Sequence, residues 1–446
     1  MKGLLSWVKG HLLIVISVLL ILILLPAGFV GAGMWNAKIK DEAEKAYKDQ
    51  ERQLTAQERV QYALPAVFEG EQAVELSRAP NRHVTSFFAE QKQQRQEQVA
   101  EIVERATEFN RAEHEVLVEG LFPEAPSERA ERDLVRNLTR SLAGDDRTVS
   151  AYDALVRRLG GGLPPEPEEV AAIMIDAETK ALERRGVFEG SNDRLEPEEE
   201  ADMRDELSAQ RIGIYAGHAG DLTFYVVPGL FDAGASGAAS EAAISPRPTY
   251  DPAAPVAPLS VAFTWQWDYW AVEDVLRAIA RANEGVDGRP VGVPDALIKR
   301  VDSIQVGQLV LPQADSSGGG RSGFSSNAAG PKTYTGRLSE PSSEYDVRMV
   351  YLDVVASPRQ LPAFIDALAS TGFMTVTDLD IVALDPWEEI EAGYYFGSEP
   401  VARVRLAIET VWLRAWTGPL MPPSVREALG VTLPQAEDET AEDEGP

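Results

Sequence analysis

Residues 347–384 read VRMVYLDVVASPRQLPAFIDALASTGFMTVTDLDIVAL. Val350, Leu352 and Val354 recur at every second residue, the period of a strand with one buried face. Ser357-Pro358 then places a capping residue before a first-turn proline. Leu361, Phe364, Ile365 and Leu368 form one apolar helix face, and Gly372 is placed to stop that helix. A second strand follows over Phe373 to Leu384. Further on, Val404, Leu406 and Ile408 alternate with Arg403, Arg405 and Glu409, which predicts a last strand.

Upstream, Val261, Phe263, Trp265 and Trp267 alternate with Ser260, Ala262, Thr264 and Gln266, predicting a strand over Leu259 to Trp267. Val272, Val275, Leu276 and Ile279 then give an amphipathic helix, and strand-like sequence returns at Leu297 to Leu311. The predicted order is β-α-β, a long insertion, β-α-β and an extra strand, with 259–311 and 345–384 as a weak internal repeat. The fold class expected is α+β. Residues 259–416 are expected to form a ferredoxin-like α/β sandwich with an extra strand, both helices covering the apolar face of one antiparallel sheet. Gly- and Ser-rich residues 313–343 are its expected disordered insertion.

Residues 228–258, rich in Gly, Ala, Ser and Pro, are predicted to be a linker. The acidic tail 435–446 is predicted to stay disordered through charge repulsion. An acidic helical region, 122–227, contains helical patterns at 126–142, 166–185 and 197–216, separated by Gly160 to Pro165 and Glu189 to Asn192. Residues 37–121 are predicted to be a helical, coiled-coil stalk. In it Asp41/Lys45 and Glu44/Lys48 can pair across one helical turn, and Pro65 interrupts the first helix. From Glu90 to Leu121, Ile102, Phe109 and Val116 recur every seven residues, with Val99 and Ala106 on the adjoining seam. Such spacing suits helices that wrap around each other; a helix packed on its own globular domain is the alternative.

No formal charge occurs between Lys9 and Lys38, and Leu12 to Leu25 is a run of Leu, Ile and Val broken only by Ser17. Residues 11–36 are therefore read as a transmembrane helix, and a cleaved signal peptide ending near Val30, Gly31 and Ala32 is the rival. Ala27/Gly31 and Gly28/Ala32 are small-residue pairs that would admit a second membrane helix. Basic residues are more numerous after the span than before it, but long domains translocate largely regardless of charge. Residues 1–10 are accordingly placed in the cytoplasm. The expected location is the inner membrane, single-pass, with the C-terminal part periplasmic.

The 446 residues carry 42 Lys and Arg against 71 Asp and Glu, a formal charge of −29 that argues against nucleic acid as a partner. Absence of cysteine excludes disulfides, thiolate metal sites and a cysteine nucleophile. His83, His114 and His218 lack ligand spacing, so no zinc site is expected. Asp378, Asp380, Asp385, Glu388 and Glu389 do not form a cation loop. No phosphate loop or nucleophile elbow stands in the required strand-to-helix context. The sequence thus offers no catalytic residue, metal ligand or cofactor-binding residue. Trp265, Trp267, Tyr269 and Trp270 are its densest aromatic group; they suit a core, and equally an interface anchor. Trp412 and Trp416 pose the same choice. The interface candidates are Ile102, Phe109, Val116, Trp265, Trp267, Trp270 and Trp412.

Residues 347–384, followed by VARVRLAIETVWLR at 401–414, resemble the PilO family of type IV pilus inner-membrane proteins and the related GspM-type secretion proteins. Leu361, Phe364, Ile365 and Leu368 carry the similarity, as the family's L-x-x-F-I-x-x-L helix. About 150 residues are covered, and 120–216 and the two low-complexity loops have no counterpart in that family. The resemblance implies a non-enzymatic scaffold beside a PilN-like partner, or PilM- or PilP-like pilus proteins, assembling as a homodimer or heterodimer. The alternative function is a membrane-anchored periplasmic ligand-binding or signalling domain that uses a Trp-rich surface.

Overall fold

A computed structural model describes residues 12–57, 60–64, 73–79, 81–188, 194–232, 243–309, 335–337 and 342–432. Most of the expected insertion 313–343, all of the tail 435–446 and the N-terminal 1–10 lie outside the described residues. The chain divides into two units, Met1–Arg105 and Ala106–Pro446.

In the first unit, helix α1 (Leu12–Gln57) runs without a break from the apolar stretch into the charged one. The expected pairs form, with Lys45 3.1 Å from Asp41 and Lys48 2.9 Å from Glu44. Among the described residues no helix is long and apolar enough to cross a membrane, so the transmembrane helix expected at 11–36 is not shown. Strands β1 (Val60–Leu64) and β2 (Val74–Arg78) pair antiparallel. The Tyr62 ring packs 5.0 Å from Phe88 near the start of the next helix, α2 (Arg82–Arg111).

The second unit carries the fold. Strand β7 (Tyr345–Ala356), helix α8 (Leu361–Thr371), strand β8 (Met374–Ala383) and strand β9 (Ala402–Leu413) stand where period and breakers put them. Gly372 ends α8, its N–H bonding the Leu368 carbonyl. Leu361, Phe364 and Leu368 are buried, whereas Ile365 is exposed. The sheet also contains β3 (Gly161–Gly162), β4 (Phe224–Val226) and β6 (Ile298–Gly307), in the order β3-β4-β6-β7-β9-β8. A short strand, β5 (Ala243–Ile244), pairs with β6 off that path. Pairing is parallel for β3-β4 and β4-β6, and antiparallel from β6 onward.

One predicted element is of the other type. The strand expected over Leu259 to Trp267 is the start of a 24-residue helix, α7 (Leu259–Ala282), with Pro258 at its N-cap. Within the alternating set, 263 and 267 are one helical turn apart, as are 261 and 265. Two helix faces thus imitate a strand. Phe263 and Trp267 are buried, while Val261 is exposed and Trp265 half-buried. The region is therefore α-β-β-α-β-β, and the ferredoxin-like sandwich is not confirmed. The coarser class, α+β, holds. Helices α7 and α8 pack on each other and on the sheet, burying Val350, Leu352, Val354, Val404, Leu406 and Ile408. A smaller core, including Tyr225, Val355, Tyr394 and Phe396, forms apart from it.

Two further expectations change. Helix α2 ends at Arg111, so Val116 is not on it and the seven-residue recurrence stops after Phe109. Ala112 adopts a positive φ of 44°, which turns the chain out of the helix. In the expected linker 228–258, Phe231 is buried and stacks 4.8 Å from Tyr152, so that part belongs to the core. The helices of 122–227 are α3 (Glu128–Ala143), α4 (Ala151–Arg158), α5 (Pro167–Arg184) and α6 (Pro197–Gly220).

Candidate functional site

The aromatic residues expected as interface anchors are brought together, but inside the protein. Trp267 and Trp270 are 0 % exposed and Trp412 is 1 % exposed. The Trp412 ring lies 6.2 Å from Trp267, 6.3 Å from Trp270 and 5.8 Å from Trp416. Helix α7 supplies the first two and β9 the third. The Trp267, Trp270 and Trp412 rings are therefore core, and Trp265 keeps partial exposure. Ile102 and Phe109 are exposed on α2, the latter with its ring 5.1 Å from Phe373. Val116 packs on the core from the segment after α2.

Into the tryptophan cluster fits His114, whose role no sequence spacing announced. Its ring is nearly parallel to Trp416 at 5.7 Å and lies 5.4 Å from Trp412 and 5.9 Å from Trp270. Nδ1 is 2.6 Å from the Arg111 carbonyl oxygen, and Nε2 makes an ion-pair contact at 2.9 Å with Asp274, without the alignment of a full hydrogen bond. Burial works against the charged ring, but Asp274, the Arg111 carbonyl and Glu273 outweigh it and raise the His114 pKa. Both ring nitrogens thus face oxygens, the Arg111 carbonyl on one side and the Asp274 carboxylate on the other.

The segment around His114 is pinned from both sides. Asn110 Nδ2 donates to the Val411 carbonyl at 2.7 Å, while Asn110 Oδ1 accepts from Leu413 N at 2.7 Å and Trp416 Nε1 at 2.8 Å. Trp270 Nε1 donates to the Glu115 carbonyl at 2.8 Å, and Leu117 N donates to Gln266 Oε1 at 2.9 Å. Beside it opens a cleft of about 620 Å³, lined in part by Glu113, His114, Arg158, Tyr269, Glu273 and Arg277. The Glu273 carboxylate is shared by Arg158 at 2.8 Å and Arg277 at 2.9 Å. Burial, with the Glu273 charge second, pushes the Tyr269 hydroxyl up to about 12. These groups satisfy each other, and among the described residues no group of three or more His, Cys, Asp or Glu is placed to hold a metal ion.

An outward-facing feature lies at the other end of the sheet. Among the described residues, strand β8 is last in the strand order and pairs with β9 alone. From Asp378 to Ala383 every residue is exposed, including Leu379 at 37 %, Ile381 at 48 % and Val382 at 42 %. Leu379 and Ile381 stand opposite Leu406 and Val404, on the face that α7 and α8 cover elsewhere. An edge strand carrying exposed apolar side chains is a surface that proteins ordinarily guard.

No protein-family description and no curated protein matches the chain. A solved structure that it resembles in part is the crystal structure of the type 4 fimbrial biogenesis protein PilO from Pseudomonas aeruginosa. The two are 19 % identical with a TM-score of 0.13, over 16 % of this chain and 47 % of that one. The chain thus spans about half the length of the structure it matches.

Proposed function

We propose that this chain is a non-enzymatic structural or assembly component that binds other proteins through the open edge of its C-terminal sheet. The observation that carries this reading is β8, paired on one edge among the described residues, with every residue from Asp378 to Ala383 exposed. Backbone groups along such an edge offer hydrogen bonds to an added strand, and the apolar side chains offer burial. The setting we propose is a type IV pilus or type II secretion-like machine, with PilN-, PilM- or PilP-like partners. It rests on the sequence resemblance of 347–384 and 401–414. A single-pass inner-membrane location with the C-terminal part periplasmic rests on the uncharged run between Lys9 and Lys38.

Affinity capture of the tagged full chain from native membranes tests the proposal. The expected result is recovery of a single-span PilN-like protein, lost in the Leu379→Lys/Ile381→Lys variant. Recovery of the chain alone, or capture indifferent to those substitutions, overturns it.

A further inference from the structure

The side chains of β8 also bear on what kind of strand it accepts, given the protein-binding reading above. Leu379 and Ile381 share one face of the sheet, while Asp378, Asp380 and Val382 share the other. Asp380 is 63 % exposed and only 4.0 Å from Arg405, its cross-strand neighbour. Asp378 accepts a hydrogen bond from the adjacent Leu379 N–H at 3.0 Å. Among the described residues no strand lies beside this edge of β8, and both carboxylates flanking it are exposed.

A second copy suits this edge poorly. An antiparallel, two-fold pairing of β8 centred on Leu379 sets Asp378 of each copy opposite Asp380 of the other, and like charges directly opposed are destabilising. Two chains of formal charge −29 also repel as they approach. A strand with Lys or Arg beside Asp378 and Asp380, and apolar residues beside Leu379 and Ile381, gains on both faces.

We infer that β8 accepts, as the next antiparallel strand, an extended segment of a different protein in which apolar residues alternate with Lys or Arg. Charge supplies the selectivity and the Leu379/Ile381 face supplies burial, so affinity falls with added salt.

Fluorescence anisotropy of labelled peptides against the full chain tests the inference, using an alternating Val/Lys strand, an alternating Val/Glu strand and a scrambled Val/Lys sequence. The Val/Lys strand should bind at least about tenfold tighter than the other two. The Asp378→Lys/Asp380→Lys variant should reverse the Lys/Glu preference, and hydrogen exchange should slow within 378–383 on binding. Both positions are exposed, so folding should survive, as circular dichroism would verify; Asp380→Asn alone should weaken the preference without reversing it. Equal binding of both charge types, or a preference unchanged in the variants, overturns the inference but leaves the scaffold proposal standing if membrane capture succeeds. A chain that sediments as a dimer and is made monomeric by Ile381→Lys identifies a second copy as the occupant and also overturns it. Failure of peptides and membrane capture together removes both.

Discussion

His114 Nε2 lies 2.9 Å from Asp274 Oδ1, joining the segment after α2 to the middle of α7 inside a wall of tryptophan rings. Asp274 and Glu273 on α7 raise the ring's pKa, against burial beside Trp270, Trp412 and Trp416. A folded pKa above the unfolded value of about 6.5 means that the contact's stability is fully present below about pH 6.5. It is lost as pH rises through the folded pKa. Asp274→Asn should therefore cost about 3 kcal/mol below pH 6.5, with a smaller penalty at alkaline pH. Melting temperatures of both proteins across this range are the measurement; a gap independent of pH would show that His114 does not titrate with the fold.

A second buried pair should respond differently. Arg348 on β7 contacts Asp268 on α7, with both side chains almost fully buried and the guanidinium 5.6 Å from the Trp267 ring. Arg348→Met leaves Asp268 without its counter-charge and should cost about 3–5 kcal/mol. Adding Asp268→Leu should recover most of that, because two apolar groups need no desolvation. Urea unfolding of the single and double variants decides the matter, and additive losses would refute it.

The Asn110 side chain serves three partners on and beyond β9. Asn110→Ala strands the Trp416 indole N–H and two backbone groups, so a loss of about 2–4 kcal/mol is expected. Asn110→Asp keeps the two accepted bonds but sets a buried carboxylate oxygen against the Val411 carbonyl, so it too should destabilise. If Asn110→Ala proves neutral in chemical denaturation, the Asn110 bonds are not what holds this segment.

The aromatic cluster separates core from surface by experiment. Trp267→Ala should destabilise by about 3–5 kcal/mol, whereas Ile102→Ser, at a site 45 % exposed, should change stability by about 0.5 kcal/mol or less. Differential scanning calorimetry of the two variants reads both numbers. A large loss at Ile102 would mean that its exposed face is covered in the native assembly.

Legibility of this fold in sequence tracks its punctuation. Between 347 and 384 the strand and helix periods are separated by Ser357-Pro358 and Gly372, and the observed elements follow them closely. Between 259 and 282 neither Gly nor Pro occurs, so nothing could turn a strand into a helix. That missing breaker was the available signal, and alternation masked it because α7 is buried on nearly all sides. Val116 kept heptad spacing beyond the point where the backbone had left the helix. His114 and Asn110 had no local signature at all, since their partners lie at 270–274 and 411–416. The exposed edge of β8 was equally hidden, because alternation reports which face of a strand is buried and not which strands flank it.

Strand β9 separates β7 from β8 although it follows both in the chain. During synthesis, then, β8 emerges before the neighbour it needs, and the sheet stays open until residue 413 has left the ribosome. The edge strand β8 is thus joined to the sheet last, through a strand that must slot in between two already made. Nascent chains stalled short of Ala402 should thus expose β8 on both sides and depend on chaperones in a way that the completed chain does not.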